Sequence, residues 1–205
     1  MNLGMPEKMI FKKYIFLILV SGFSTCLLSQ EYDLAKFNRT RLRIERRSIQ
    51  ALALWSAGSL VYNGLSTKNT SAEDRYFHQS NVYWNAINMG FVYAGFRHVF
   101  AQDPLEVSIY NSIQEQRKIE QLLFLSSGMD LAFIMTGLYL KERSKDSTNK
   151  DKINGVGRSF VLQGAVLLGF DLVQLVLHKS NNKRLKSLIR GLQFGPGGLM
   201  LKKQF

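Results

Sequence analysis

Two acidic residues stand inside otherwise uncharged apolar runs of this chain: Asp130 in the stretch from 122 to 140, and Asp171 in the stretch from 159 to 177. An ionised Asp near the middle of a membrane span costs about 3 kcal/mol, so each requires a partner, water or a proton. Paired carboxylates can bind a cation or relay protons, because the charge on one raises the pKa of the other. The plainer use is packing, with Ser126, Ser127 and Gln163 at hand as hydrogen-bond partners and Arg97, near the end of another apolar run, long enough to approach Asp171. If the two runs are antiparallel neighbours with their ends aligned, a helical rise of about 1.5 Å per residue places Asp130 and Asp171 about 12 and 9 Å from the same membrane face, close to level. His78, Asn81, Asn85 and Asn88 follow three-and-four spacing, and Gly157, Gly164, Asp171 and His178 recur every seven residues. Both spacings put their members on one helix face. The candidate binding residues are therefore Asp130, Asp171, Arg97, Asn85, Asn88, His78 and His178, with helix packing as the competing use.

Other chemistry has less to stand on. The chain holds no G-x-S-x-G elbow, phosphate loop, H-E-x-x-H or dinucleotide fingerprint. Asp74 and His78 are four apart and could share a helix face, but nothing supplies a nucleophile beside them, so no enzyme is expected. His78, His98 and His178 lack the short spacings that place two ligands on one helix face, and Cys26 is the single cysteine, so neither a metal nor a cofactor is expected. The formal charge of +12 is divided among the N-terminus, the segment before the first span, one loop and the tail. Such flanking charges sit among anionic headgroups, and with no compact basic and aromatic module, no nucleic acid is expected as a partner.

Four stretches have the length and apolarity to span a bilayer: 49 to 66, 82 to 100, 122 to 140 and 159 to 177. The mean hydropathy of -0.07 is low for a membrane protein, so the case rests on the blockwise arrangement of the apolar residues. The first stretch is the most marginal, with three serines and Asn63. The segments 67 to 75, 101 to 121 and 141 to 157 read as polar connections, and Gly155-Val156-Gly157-Arg158 as a flexible joint beside the last of them. A soluble bundle is disfavoured because the third and fourth stretches lack the wide polar face of a soluble helix. Each stretch instead carries one narrow polar or small-residue stripe, as in Ser56, Ser59, Asn63 and Ser66, which is how helices face one another within lipid. Ala53, Ala57 and Gly64 form a small-residue edge suited to self-association or to partner membrane helices.

Lys8, Lys12 and Lys13 precede an apolar run from Tyr14 to Leu28 that ends at Ser29, the pattern of a secretory signal peptide. The chain divides accordingly into a signal peptide at 1–29, a basic juxtamembrane segment at 30–48, a four-helix transmembrane domain at 49–178 and a basic C-terminal tail at 179–205. Orientation rules conflict. An export signal sends the mature N-terminus and the tail outward, whereas that side carries fifteen Lys and Arg against eight on the other. The signal is expected to dominate, leaving loops 67 to 81 and 141 to 157 cytoplasmic.

The run RYFHQSNVYWNAINMG at 75 to 90, with GMDLAF at 128 to 133 and the later Q-G-x-x-L-L-G-F-D preceding His178, resembles an uncharacterised family of Bacteroidota membrane proteins. The resemblance covers about 40 to 180 and implies a signal peptide, about four transmembrane helices and a bacterial envelope location, without a reaction. The expected fold is all-α: a polytopic membrane helical bundle of about four transmembrane helices after an N-terminal signal peptide, in the bacterial inner (cytoplasmic) membrane with the lipid bilayer as its first partner. The expected role is structural or in assembly, and the alternative is a small transporter or an ion- or proton-binding protein using Asp130 and Asp171. Cleavage after Ser29 is checked by mass spectrometry of the mature N-terminus. A mass that retains Met1 or Cys26 overturns it.

Overall fold

The computed structural model describes the backbone of residues 7–68, 70–105, 107–195 and 198–201, and the side chains of 32–68, 70–105 and 107–186. Four helices form the bundle: α1 (Glu7–Ser66), α2 (Ala72–Phe100), α3 (Ile109–Arg143) and α4 (Lys150–Gly191). Two short strands follow, β1 (Leu192–Gly195) and β2 (Gly198–Leu201), paired antiparallel with Leu192 opposite Leu201. Starts are set locally. The Ser71 hydroxyl accepts from the Asp74 backbone N–H ahead of α2, and the Ser108 hydroxyl from that of Asn111 ahead of α3, in the manner of N-caps. Glu73 and Asp74 in the first turn of α2, and Lys141 and Arg143 in the last turn of α3, complement the helix dipoles.

The helices run past the apolar blocks. Most of 101–121 and 141–157, expected as connections, is helical, and α3 and α4 are separated only by 144–149, half of it a 3-10 turn at Ser144–Asp146. Glu, Gln, Lys and Arg are good helix formers, so a polar composition marks where a helix can meet water and not where it ends. For the same reason 179–191, expected as tail, continues α4; the fold is all-helical as expected, with only the short pair β1 and β2 following the last helix. The Gly155–Arg158 stretch is not a joint but lies inside α4. Helix α1 is unbroken through residues 29 and 49, while the side chains of Lys8, Lys12, Lys13 and Cys26 lie outside the described residues.

Helix α4 packs against α3, α2 and α1, and its contact with α3 is the most extensive. Glycines bring those two backbones together. A Cβ added to Gly137 would lie 2.6 Å from the Gly157 carbonyl oxygen, and one on Gly164 would lie 2.7 Å from that of Asp130. Continuing this antiparallel register puts Leu123 level with Asp171 and Gln116 level with His178, whose carbonyl accepts from Gln116 Nε2 at 3.3 Å. Buried residues recur every seven along α3 (Gln116, Leu123, Asp130, Gly137) and into the 3-10 turn at Ser144, and along α4 (Gly157, Gly164, Asp171, His178, Leu185). Helix α2 repeats the spacing with His78, Asn85, Val92 and Val99. A seven-residue period is the signature of helices crossing at about 20° in a left-handed supercoil. Trp84, Phe133 and Phe160 add edge-to-face contacts joining α2, α3 and α4.

Among the described residues, the distribution of polarity is inverted relative to a soluble bundle. Seventeen polar or charged residues are buried against six hydrophobic ones, while 28 large hydrophobics are exposed, on all four helices. Two segments, Ile109–Asp146 and Lys150–Lys186, are long and apolar enough to cross a membrane. The register predicts the effect of two matched substitutions. Gly137→Ala should destabilise the bundle by about 1–3 kcal/mol through overpacking, whereas Gly128→Ala, with nothing within 4 Å of the added carbon, should be neutral or mildly stabilising; thermal midpoints in detergent compare the two.

Candidate functional site

The buried polar residues form two assemblies. Toward the end where the α1–α2 and α3–α4 connections lie, here the hairpin end for its two helical hairpins and distinct from the β1–β2 pair, α1, α2 and α4 share a hydrogen-bonded network. Asn63 Nδ2 donates to the Ser59 carbonyl at 2.8 Å and to its hydroxyl at 3.0 Å, while Asn63 Oδ1 accepts from His78 Nδ1 at 2.8 Å. Asn85 Nδ2 donates to the same Ser59 hydroxyl at 2.8 Å. Asn81 Oδ1 accepts from the Ser159 hydroxyl at 3.0 Å and from Gln163 Nε2 at 2.7 Å. His78 and Asn85 thus both hydrogen-bond across from α2 to α1. Asn88 is buried nearby in sequence with its Nδ2 unpartnered.

At the hairpin end itself, Arg158 Nη1 pairs with Glu73 at 2.7 Å and Asp74 at 2.8 Å, and its guanidinium lies over the Phe77 ring. Hydrogen bonding to Arg158 holds the Glu73 carboxyl below its ordinary value. The Ser71 hydroxyl, followed by Arg158, does the same for Asp74. These charges close that end.

The opposite end, with the α2–α3 connection, holds a cleft of about 530 Å³ lined by all four helices. Asp171 and His178 line it with Glu45, His98, Glu115 and Gln174. Its border is a relay of polar contacts: Glu45 to Arg41 at 3.2 Å, Arg41 to Gln102 at 2.9 Å, Gln102 to His98 at 2.8 Å, and His98 to Glu115 at 3.9 Å. Burial pushes the Glu45 carboxyl up to about 7 despite the neighbouring Arg41, and Glu115 adds to the rise. That carboxyl can therefore gain or lose a proton near neutrality. His178 is wholly buried with neither ring nitrogen partnered. Among the described residues, no three of His, Cys, Asp and Glu are grouped to hold a metal ion.

The aspartates differ from the expected level pair. Asp130 is level with Gly164 and Asp171 with Leu123, one heptad or about 10 Å apart along the seam. The glycine contacts set this register, and the aligned ends of the apolar blocks do not. The Cα–Cβ bonds of antiparallel helices nevertheless tilt toward each other across the gap. Asp171 accepts from the Ser126 hydroxyl, and Asp130 keeps Oδ2 unpartnered. Arg97 does not meet the expectation of a partner for Asp171: it is exposed, two residues from the buried Val99 and so on the outer side of α2. His98 lines the cleft in its stead. Glu45 and Glu115 were missed because each stands in a polar segment just outside a span, where a charged residue carries no sequence signal, and His98 because, at the end of the second span, it has no ligand-spaced partner on its own helix.

The hairpin-end clamp has a pH signature. A depressed Glu73 pKa contributes stability that is present above 4.5 and is lost as pH falls through its lower folded value. Glu73 is partly exposed, so its contribution is at most about 1 kcal/mol. On acidification from about pH 6 to 3 the parent's thermal midpoint in detergent should drop below pH ~4.5, while Arg158→Gln should start lower and change less.

The profile of a family of unknown function, DUF6992, matches residues 51–172. The match includes His78, Asn85, Asn88, Arg97, Asp130 and Asp171 and leaves Glu45 and His178 outside it. No curated protein and no solved structure matches the chain.

Proposed function

This chain belongs to the DUF6992 family, and we propose that it is an integral protein of a bacterial inner membrane, a four-span bundle with a structural or assembly role. The inverted polarity carries this reading: buried Ser, Asn, Gln, His and Asp side chains face one another, while Leu, Val, Phe and Tyr side chains face outward. In water the exposed apolar surface is unfavourable, whereas lipid favours it and strengthens the case for pairing polar groups inside. The same inversion supports counting α1 and α2 as spans. Their average apolarity is lowered by Ser56, Asn63, Asn81, Asn85 and Asn88, which are all buried, so the lipid-facing surfaces of α1 and α2 are more apolar than their compositions. The cleaved signal peptide belongs to this proposal, and lipid and partner membrane helices are the partners it implies.

A second reading is favoured by the cleft: Glu45, Glu115 and Asp171 around one cavity, with unpartnered polar atoms on His178, suit a small cation or a proton. Under the structural role, Asp171→Asn should retain the membrane function and cost only modest stability. Retained folding with abolished cation or proton binding transfers the assignment to the second reading.

The membrane reading itself is tested by labelling in intact membranes. In a Cys26→Ser background, single cysteines replacing Val61, Leu125 or Val176, all exposed on the bundle, should resist a water-soluble maleimide, while a cysteine replacing Lys145 should react. Rapid labelling at all four positions, with release of the protein by alkaline carbonate, overturns the membrane assignment.

A further inference from the structure

Outside the bundle, α1 and α4 border a second groove of about 540 Å³ at the end that carries the cleft. Its outer part is polar, with Thr40, Ser180, Asn181 and Arg184, and its inner part is apolar, with Ala51, Phe170 and Val173. Arg43 and Arg47, four residues apart and therefore on one face of α1, line the length between them. No carboxylate lines this groove. Three arginines have acidic or aromatic partners, Arg41 with Glu45, Arg158 with Glu73 and Asp74, and Arg46 over Phe100; what sets the groove arginines apart from the other unpaired ones is that three of them line one carboxylate-free groove. Among the described residues, the guanidiniums of Arg43, Arg47 and Arg184 have no such acidic or aromatic partner.

We propose that this groove binds an anionic phospholipid, with the headgroup phosphate held by Arg43, Arg47 and Arg184 and an acyl chain lying along Phe170, Val173 and Ala51. The proposal rests on the membrane reading above. Under that reading, α4 leaves the apolar layer near Leu177 and α1 enters it near Ile49, so Arg43 and Arg184 stand at headgroup depth. Arg47, lower on the helix, reaches the same depth by extending its side chain outward. Arg is suited to the contact because its planar fork donates two parallel hydrogen bonds to a phosphate. A basic site between helices at the membrane surface selects lipids by headgroup charge. The apolar inner part distinguishes it from a site for free anions, which have nothing to place against Phe170 and Val173.

The experiment is native mass spectrometry of the full chain in detergent, titrated with phosphatidylglycerol and with phosphatidylcholine of the same acyl chains. Phosphatidylglycerol should bind at least tenfold more tightly. The triple variant R43Q/R47Q/R184Q should lose that preference, while K145Q/K150Q/K152Q, which removes equal charge from the other end, should keep it. R184Q alone, at an exposed position, should weaken phosphatidylglycerol binding several-fold with unchanged helicity, so the outcome does not depend on the triple variant folding. Equal binding of the two lipids, or a groove variant that retains the preference, overturns the proposal. Displacement of phosphatidylglycerol by millimolar inorganic phosphate also overturns it, because the site would then recognise the anion without the chains. A chain that fails the labelling test for membrane insertion loses the bundle-in-lipid reading instead, so the two failures are separable.

Discussion

The close contact of α3 and α4 along their glycines is the constraint on which the remaining architecture depends. Gly137, Gly157 and Gly164 allow carbonyl oxygens of the facing helix to approach where any larger residue would meet backbone. That approach fixes the register, and the register decides which side chains fall on the seam: Asp130 beside Gly164, Leu123 beside Asp171, Gln116 beside His178. Each step along the seam is seven residues, so the pair stays in contact for its whole length only by supercoiling. Helix α2 then docks on α4 through Asn81, Ser159 and Gln163, and α1 docks on α2 through Ser59, Asn63 and Asn85. Gly155, with Tyr76 Cβ 2.9 Å from an added carbon, lets α2 approach α4 at the hairpin end.

A bundle held this way has an unusual division of labour. In water, burying apolar side chains drives assembly and polar groups are left outside. Here the described interior holds few apolar side chains, and the outward surface is where the large ones lie. Under the membrane proposal the outer surface, facing lipid, contributes little to helix association, and packing of small residues and hydrogen bonds hold the helices together. Interhelical hydrogen bonds of this kind contribute on average about 0.6 kcal/mol each in membranes, so no single one holds the fold. A network such as Ser59, Asn63, His78 and Asn85, continued through Asn81 to Ser159 and Gln163, acts by joining α1, α2 and α4 at once and by making alternative registers leave buried groups unpaired.

Much of this was legible in the residues and some was not. The heptad of Gly157, Gly164, Asp171 and His178 could be read directly, as could the His78 to Asn88 stripe, because burial in a helix imposes a period that the sequence must carry. The offset of Asp130 from Asp171 could not, since register between helices is set by which glycine meets which carbonyl, and apolar block lengths are insensitive to a slip of a few residues. The position of Arg97 was lost in the same way. Two residues before the buried Val99, it turns to the outside of α2, and a long side chain does not compensate for roughly half a helical turn. The helix ends were misplaced because hydropathy reports the solvent around a helix, whereas Ser71 and Ser108 report its start. The polar relay from Glu45 to Glu115 joins three helices across a cleft, and nothing local in any one of them marks it.

The two ends of the bundle differ in a way that bears on where function resides. At the hairpin end the charges are matched, Arg158 against Glu73 and Asp74, and the connection between α3 and α4 is short. At the other end, acidic and histidine side chains surround a cleft between all four helices, and a groove with three arginines runs beside it between α1 and α4. Gln174 lines both the cleft and the groove, and Phe170 does so as well. Ser48 of α1 lines both as well, so the two spaces share walls on α1 and α4, and a ligand that displaced either from the groove side would also reshape the cleft. The proposed binding roles therefore rest on this end, where cavities of about 530 and 540 Å³ share walls, and not on the smaller cavity of about 360 Å³ beside Ser59, Asn63 and Phe77 toward the other.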